Sequence, residues 1–257
     1  MTGTPRIPAP APGRHARPRV LGHRGASADA PENTLAAFRL AVEQGADGVE
    51  LDVWRCGTGE LVVIHDEDAL RTTGERLAVP GASLGALQAL DAGAWRGARF
   101  AGERIPRLEE ALEAIPDAFV NVELKSRGRD VETARAAARV LREAGAVDRV
   151  VVSSFDWRLV AALRAFAPEI PAGLLFEPSR AWRLRVAVGA RALRPAALHP
   201  DRALATEARV RAWTARGLQV NVWTVDDPDE LRRLAAWGVS SVITNVPGRA
   251  VEALRPR

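Results

Sequence analysis

The feature that most constrains the fold is a regular alternation of short apolar runs with longer helix-like segments. Eight runs have the length and β-branched content of buried strands, and they occupy residues 19–22, 48–54, 119–123, 150–153, 173–176, 196–198, 219–223 and 241–244. Each is followed by a segment with helical spacing of apolar residues; the later segments lie near residues 108–115, 130–144, 157–166, 180–192, 206–216, 227–237 and 247–255. The alternation predicts a TIM (β/α)8 barrel, an α/β fold, in one domain-sized chain. A doubly wound open sheet is the alternative, but no Gly-rich dinucleotide motif follows any strand.

The second unit departs from this alternation. The apolar run at residues 61–64 is separated from the preceding strand only by residues 55–60, too few for a parallel crossover. We therefore predict an extended hairpin over residues 49–65, which brings His65 back over the barrel mouth. Residues 67–106 are rich in turn signals and poor in periodicity, and we predict a small insertion there. The helix after the first strand begins in residues 31–34, where Asn33 or Thr34 can cap it.

Composition narrows the class of protein. The chain has 257 residues, of which 47% are hydrophobic and 26% charged, with a net charge of +4. Because its arginines are interleaved with acids, a solvated surface is favoured over a nucleic-acid interface. Cys56 is the only cysteine, so no intrachain disulfide forms.

The ends of the predicted domain follow from composition as well. Residues 1–18 are rich in Pro, Ala and Arg and lack the apolar core of a secretory signal, so we expect a disordered tail followed by a single domain at residues 19–257. No apolar run reaches the ~18 residues of a membrane span. We expect a cytoplasmic protein without stable membrane insertion. The sequence does not indicate its oligomeric state.

Reactive side chains fall at the predicted strand ends, which in a barrel converge on one face. The early strands supply His23, Arg24, Glu50, Asp52, His65, Glu123 and Lys125. The later strands supply Ser153, Ser154, Phe155, Glu177, His199, Trp223 and Asn245. The acids, bases and cations are therefore concentrated on the first third of the predicted mouth.

Three of these residues have the donor chemistry of a divalent metal site. Glu50 and Asp52 are two apart on a strand and so face the same side, and Glu123 adds a third carboxylate. An all-oxygen set suits a hard cation such as Ca²⁺ or Mg²⁺, whereas zinc would lack cysteine or paired histidine ligands. The alternative is that the acids form structural salt bridges with Arg24 and Lys125.

Two histidines and two cations accompany the acids. His23 and His65 can exchange protons near neutral pH, and Arg24 and Lys125, the only lysine in the chain, can bind an anion. Metal, histidine pair and cations together favour phosphoryl chemistry at a diester.

At these residues the sequence resembles the glycerophosphodiester phosphodiesterase family, in order and from about residue 19 to the C-terminus. The matching motifs lie at residues 22–26 (GHRGA), 31–34 (PENT), 45–53 (GADGVELDV), 62–66 (VVIHD), 71–74 (RTTG), 122–125 (VELK), 153–155 (SSF), 222–225 (VWTV) and 243–247 (ITNVP). Two departures stand near the last strand: residues 238–241 (GVSS) replace the family's usual Gly-Asp-Gly turn, and Asn245 replaces an aspartate.

The resemblance implies a metal-dependent TIM-barrel hydrolase that cleaves glycerophosphodiesters to glycerol 3-phosphate and an alcohol. It implies that Glu50, Asp52 and Glu123 hold the metal and that His23 and His65 form an acid–base pair. It further implies that Arg24 and Lys125 contact phosphate and that Trp223 lines the glycerol side. The alcohol, the identity of the metal and the order of the two histidines stay open. So does the nucleophile, either water or, as we favour, the substrate's 2-hydroxyl by way of a cyclic phosphate.

Two other functions remain as alternatives. One is a lysophospholipase D-type hydrolase that docks on a membrane through residues 182–188, which otherwise form an amphipathic barrel helix. The other is a non-catalytic barrel that binds phosphodiesters.

Overall fold

The structure, a computed structural model, describes residues 17–127, 130–178 and 193–255 and contains a closed eight-stranded parallel barrel. The barrel strands are β1 (Arg19–His23), β2 (Gly48–Arg55), β4 (Phe119–Leu124), β5 (Val150–Ser154), β6 (Ala172–Phe176), β7 (Ala197–Pro200), β8 (Gln219–Val222) and β9 (Ser241–Thr244). β1 pairs in parallel with both β2 and β9, which closes the sheet. The predicted TIM barrel is confirmed.

Helices surround the strands. They are α1 (Leu35–Glu43), α2 (Leu70–Thr73), α3 (Leu84–Gln88), α4 (Leu108–Ala114), α5 (Glu132–Glu143), α6 (Trp157–Phe166), α7 (Glu207–Thr214), α8 (Pro228–Trp237) and α9 (Pro247–Ala253). Short 3₁₀ turns occupy Val79–Gly81, Ala94–Arg96, Ala98–Phe100, Val147–Arg149 and Arg202–Leu204. Of the two candidate caps for α1, Thr34 is the cap and accepts a hydrogen bond from the Ala37 amide. The helix predicted at residues 180–192 and nearly all of the predicted tail lie outside the described residues.

The predicted hairpin is present. β3 (Leu61–Val63) runs antiparallel to β2 with Val53 opposite Val63. The Trp54 indole donates a hydrogen bond of 3.0 Å to the His65 carbonyl, which holds the returning chain above the strand ends. Beyond it, residues 67–106 fold into α2, α3 and three 3₁₀ turns around a small apolar cluster that includes Leu87 and Ile105. The limits of the tail, domain and insertion stay predictions.

The barrel interior is layered, because alternate residues of each strand point inward. Leu21, Phe119, Val151 and Ile243 belong to one apolar cluster. Two residues further along their strands, Asn121 and Ser153 follow Phe119 and Val151 and are fully buried. Glu123 comes next on β4, so each step along the strand leads from apolar to polar to ionisable side chains. The chemistry is therefore confined to the carboxyl end of the barrel.

The sequence predicts His199 at the mouth, and that prediction is wrong. It precedes the last residue of β7, its side chain is fully buried, and Nε2 lies 3.0 Å from Asn221 Nδ2. A Cβ atom on Gly173 would collide with its ring, so this glycine makes room for the imidazole. Burial lowers the pKa of His199 to about 3. The residue is a neutral interior side chain.

We expect His199 to make stability depend on pH. Its pKa in the fold is below the ordinary value of about 6.5, so its contribution is present above pH ~6.5 and is lost as pH falls towards 3. Each pH unit in that window should cost up to ~1.4 kcal/mol of unfolding free energy. Denaturant titrations of the wild type and His199→Gln between pH 7 and 5 should diverge by about this slope. Parallel profiles would refute it.

Candidate functional site

The mouth of the barrel holds a cavity of about 350 Å³. Its lining residues are His23, Arg24, Glu50, His65, Asn121, Glu123, Lys125, Phe155, Leu175, Glu177, Trp223 and Ile243. Of the eight residues predicted for the site, only Asp52 is absent from the lining, and it is buried against two lining residues, Lys125 and Arg24. The structure therefore brings the predicted side chains into one place.

Strand register assembles the three acids. Glu50 and Asp52 alternate on β2, and Asp52 is the direct partner of Glu123 across the β2–β4 ladder. One carboxylate oxygen from each residue lies within 4.8 Å of the other two, and all three residues are buried. This geometry could hold a metal ion.

Asp52 is the most strongly paired of the three. Its two oxygens lie 3.0 Å from Lys125 Nζ and 3.3 Å from Arg24 Nε, and Asn33 Nδ2 donates a hydrogen bond of 2.9 Å. Burial opposes ionisation, but the Lys125 and Arg24 charges outweigh it and hold the pKa of Asp52 below its usual range. Asn33 adopts a left-handed backbone conformation with φ 57°, which asparagine tolerates. Asp52 is thus an anion held by two cations and one amide donor.

Glu50 and Glu123 are less well neutralised. Burial, with the neighbouring acids, raises the pKa of Glu50 well above its usual range. Burial also raises the pKa of Glu123 to about 7, even though Lys125 contacts it. These acids favour an additional positive charge, and oxygen ligands at this spacing suit a hard divalent cation. The donor set therefore fits Ca²⁺ or Mg²⁺.

His23 ends β1 and lies beside the acids. Its Nδ1 is 2.7 Å from Asn245 Oδ1, and its Nε2 is 4.0 Å from Glu50 Oε2. Burial, reinforced by the Arg24 charge, lowers the pKa of His23. The imidazole is mainly neutral near pH 7.

His65 belongs to a chain of ion pairs. Its Nδ1 lies 2.7 Å from Asp66 Oδ1, and Asp66 accepts a 2.6 Å hydrogen bond from Arg71 Nε on α2. Arg71 also donates two hydrogen bonds to Glu32, which pairs with Arg24 at 2.8 Å. Burial lowers the pKa of His65. The insertion thereby ties the orientation of His65 to the β1 side of the mouth.

Aromatic side chains form the opposite wall. Phe155 and Trp223 meet edge to face with ring centroids 5.6 Å apart, and the Trp223 indole donates a 2.9 Å hydrogen bond to the His199 carbonyl. Lys125 Nζ lies 6.0 Å from the Phe155 centroid. The cavity thus has a charged wall and an apolar one.

Several side chains of the site were not assigned a role from the sequence. The sequence predicts only a helix start at Glu32 and Asn33, and it gives Arg71 no role within its motif. Asp66 adjoins His65 in the motif at residues 62–66, and this adjacency was the available signal. Asp226, which accepts a hydrogen bond from Asn245, belongs to none of the motifs.

Comparison with known proteins gives concordant results. The model of the glycerophosphoryl diester phosphodiesterase family matches residues 23–249. A glycerophosphodiester phosphodiesterase of Caldanaerobacter subterraneus subsp. tengcongensis is 36% identical over 245 residues, 92% of this chain and 97% of that protein.

Solved structures of phosphodiesterases are similar to this chain as well. A phosphodiesterase from Oleispira antarctica, in complex with the product sn-glycerol 3-phosphate, is 34% identical with a TM-score of 0.84 and covers 92% of this chain and 96% of its own. A glycerophosphodiester phosphodiesterase from Agrobacterium tumefaciens is 31% identical with a TM-score of 0.77, covering 91% and 99%.

Proposed function

Because this chain belongs to the glycerophosphoryl diester phosphodiesterase family, we propose that it hydrolyses glycerophosphodiesters to glycerol 3-phosphate and an alcohol at the barrel mouth. The observation that carries the proposal is the convergence of three buried acids, two histidines and two cations on one 350 Å³ cavity. The chain is an enzyme of the phosphoric diester hydrolase class.

Glu50, Asp52 and Glu123 would hold the cation, with Ca²⁺ and Mg²⁺ as candidates. When bound, the ion would supply positive charge that offsets the charge developing on the phosphate. Arg24 and Lys125 line the same cavity and would bind phosphate oxygens, although both already pair with Asp52. These two side chains therefore also keep Asp52 ionised.

His23 and His65 would move the protons. One accepts the proton of the nucleophile as the new P–O bond forms, and the other donates a proton to the alcohol oxygen as the old P–O bond breaks. Each ring is oriented at Nδ1, by Asn245 and Asp66 respectively, which leaves Nε2 for exchange with the reacting groups. Phe155 and Trp223 would pack against the carbon atoms of the glycerol.

The alternative of a lysophospholipase D-type hydrolase requires a surface that docks on a membrane. Residues 182–188, the predicted membrane-docking segment, lie outside the described residues. In the part of the chain that is described, no helix has both the length and the apolarity to cross a bilayer. No observation of the described site favours a lysolipid over a small glycerophosphodiester.

A substrate panel tests the proposal. Glycerophosphocholine, glycerophosphoethanolamine and glycerophosphoglycerol should each release glycerol 3-phosphate, and a lysophospholipid should be turned over at least ~10-fold less efficiently, with or without vesicles. Turnover of the lysolipid alone, stimulated by vesicles, would instead support the lysophospholipase D function. Binding of glycerophosphodiesters without turnover under any added cation would support the binding barrel.

A further inference from the structure

The Nδ1 side of His23 faces an acceptor whose orientation is fixed. Asn245 Oδ1 lies 2.7 Å from His23 Nδ1 and also accepts a 3.0 Å hydrogen bond from Ser27 Oγ. An amide oxygen can accept hydrogen bonds but cannot donate one. The proton of a neutral His23 must therefore be on Nδ1, and Nε2 must carry the lone pair.

This conclusion depends on which way the Asn245 amide points, and Asp226 determines that. Asp226 Oδ2 accepts a 2.7 Å hydrogen bond from Asn245 Nδ2. Asp226 Oδ1 accepts from the Asn245 backbone N–H and from Thr244 Oγ1, both at 2.8 Å. Because a carboxylate only accepts, the amide NH₂ must face Asp226 and the amide oxygen must face His23. A flipped amide would set its oxygen against the Asp226 carboxylate, which leaves two acceptors without a donor between them.

We propose that Asp226 and Asn245 are positioning residues that hold His23 in the Nδ1-protonated tautomer, with Nε2 unprotonated at the reaction cavity. In this state His23 can accept a proton at Nε2 but cannot donate one from it. Its role in catalysis rests on the proposed function, whereas the tautomer itself does not. The Nδ1 partner of His65 differs in charge, because it is the carboxylate of Asp66 rather than a neutral amide.

Asp226 and Asn245 form a matched acceptor–donor pair, and exchanging the two residue types tests the proposal. Asp226→Asn places one NH₂ group against another, and the strain is relieved if the Asn245 amide flips. The flipped amide would donate to His23 Nδ1 and drive the proton to Nε2. Asn245→Asp places two carboxylates together. The double variant Asp226→Asn/Asn245→Asp restores one donor facing one acceptor and again offers His23 an acceptor.

The decisive measurement is ¹⁵N–¹H correlation of the imidazole nitrogens in the substrate-free protein, near neutral pH. The chain has only four histidines, and the spectrum of His23→Gln identifies the signals of His23. We expect protonated Nδ1 in the wild type, protonated Nε2 in Asp226→Asn, and protonated Nδ1 again in the double variant. A wild-type His23 protonated at Nε2 overturns the proposal, and this result needs no substitution at Asp226 or Asn245.

Kinetics separate positioning from a structural role. Asp226→Asn should lower kcat ~10- to 100-fold, the usual cost of losing an orienting partner, with KM within about twofold. The double variant should recover at least tenfold of that loss, as coupled neighbours do. Asp229→Asn, an equal charge change on an exposed α8 residue that pairs with Arg232, should leave both the tautomer and kcat unchanged. Loss of kcat without a change of tautomer, or no recovery in the double variant, overturns the proposal.

Discussion

Replacing His23 or His65 by alanine should lower kcat by roughly two to four orders of magnitude, the usual contribution of a general acid or base. Both rings line the cavity, and each is fixed at Nδ1 by a side-chain acceptor. Since neither ring pairs with the substrate's charge in the way Arg24 and Lys125 would, KM should change far less than kcat. Initial rates of glycerol 3-phosphate release over a range of glycerophosphocholine concentrations give both constants.

His15→Ala is the matched control, because it removes a histidine that belongs to none of the sequence motifs. Its kcat should equal that of the wild type. Thermal unfolding of all three variants checks that the fold is retained. Near-normal turnover of folded His23→Ala or His65→Ala would remove that histidine from the acid–base pair.

Glu50→Gln should weaken the response to metal by at least ~10-fold and lower kcat by about two orders of magnitude, since even outer partners of a metal site contribute 10- to 100-fold. The amide has nearly the shape of the carboxylate and can still accept the Arg24 backbone N–H, which lies 3.1 Å from Oε2. The charge is what the substitution removes. Titration of activity with Mg²⁺ and Ca²⁺ after EDTA treatment measures both effects.

A second readout does not depend on turnover. An ion that binds only the folded state raises the thermal midpoint, so added cation should stabilise the wild type and stabilise Glu50→Gln much less. Glu177→Gln is the matched control for both titrations, because Glu177 lines the cavity but is not one of the three clustered acids. An unchanged metal titration in Glu50→Gln would show that Glu50 is not a ligand.

The fold could be predicted because its signals are local. Alternating strand and helix patterns predicted the barrel, and the short connection at residues 55–60 predicted the hairpin that returns His65 to the mouth. Period-two spacing placed Glu50 and Asp52 on one face, and register then brought Glu123 beside Asp52. These inferences needed only geometry within one strand or between adjacent strands.

The residues that orient the site could not be found this way. Asp226 acts on His23 only through Asn245, and Asn33 reaches Asp52 from the loop before α1. Nothing in the sequence near either residue specifies its partner. His199 shows a different error: a position near the end of a strand does not by itself place a side chain at the rim, and every residue of β7 is buried.

Metal-dependent hydrolysis of glycerophosphodiesters is tested by product analysis of glycerophosphocholine incubated with EDTA-treated wild-type protein, before and after Mg²⁺ or Ca²⁺ is restored. We expect equal amounts of glycerol 3-phosphate and choline once the cation is present, and almost none of either in its absence. If glycerol 3-phosphate were released as fast in EDTA as with added cation, the metal-binding role of the three acids would be contradicted. No glycerol 3-phosphate from any glycerophosphodiester, with either cation, would contradict the proposed function itself.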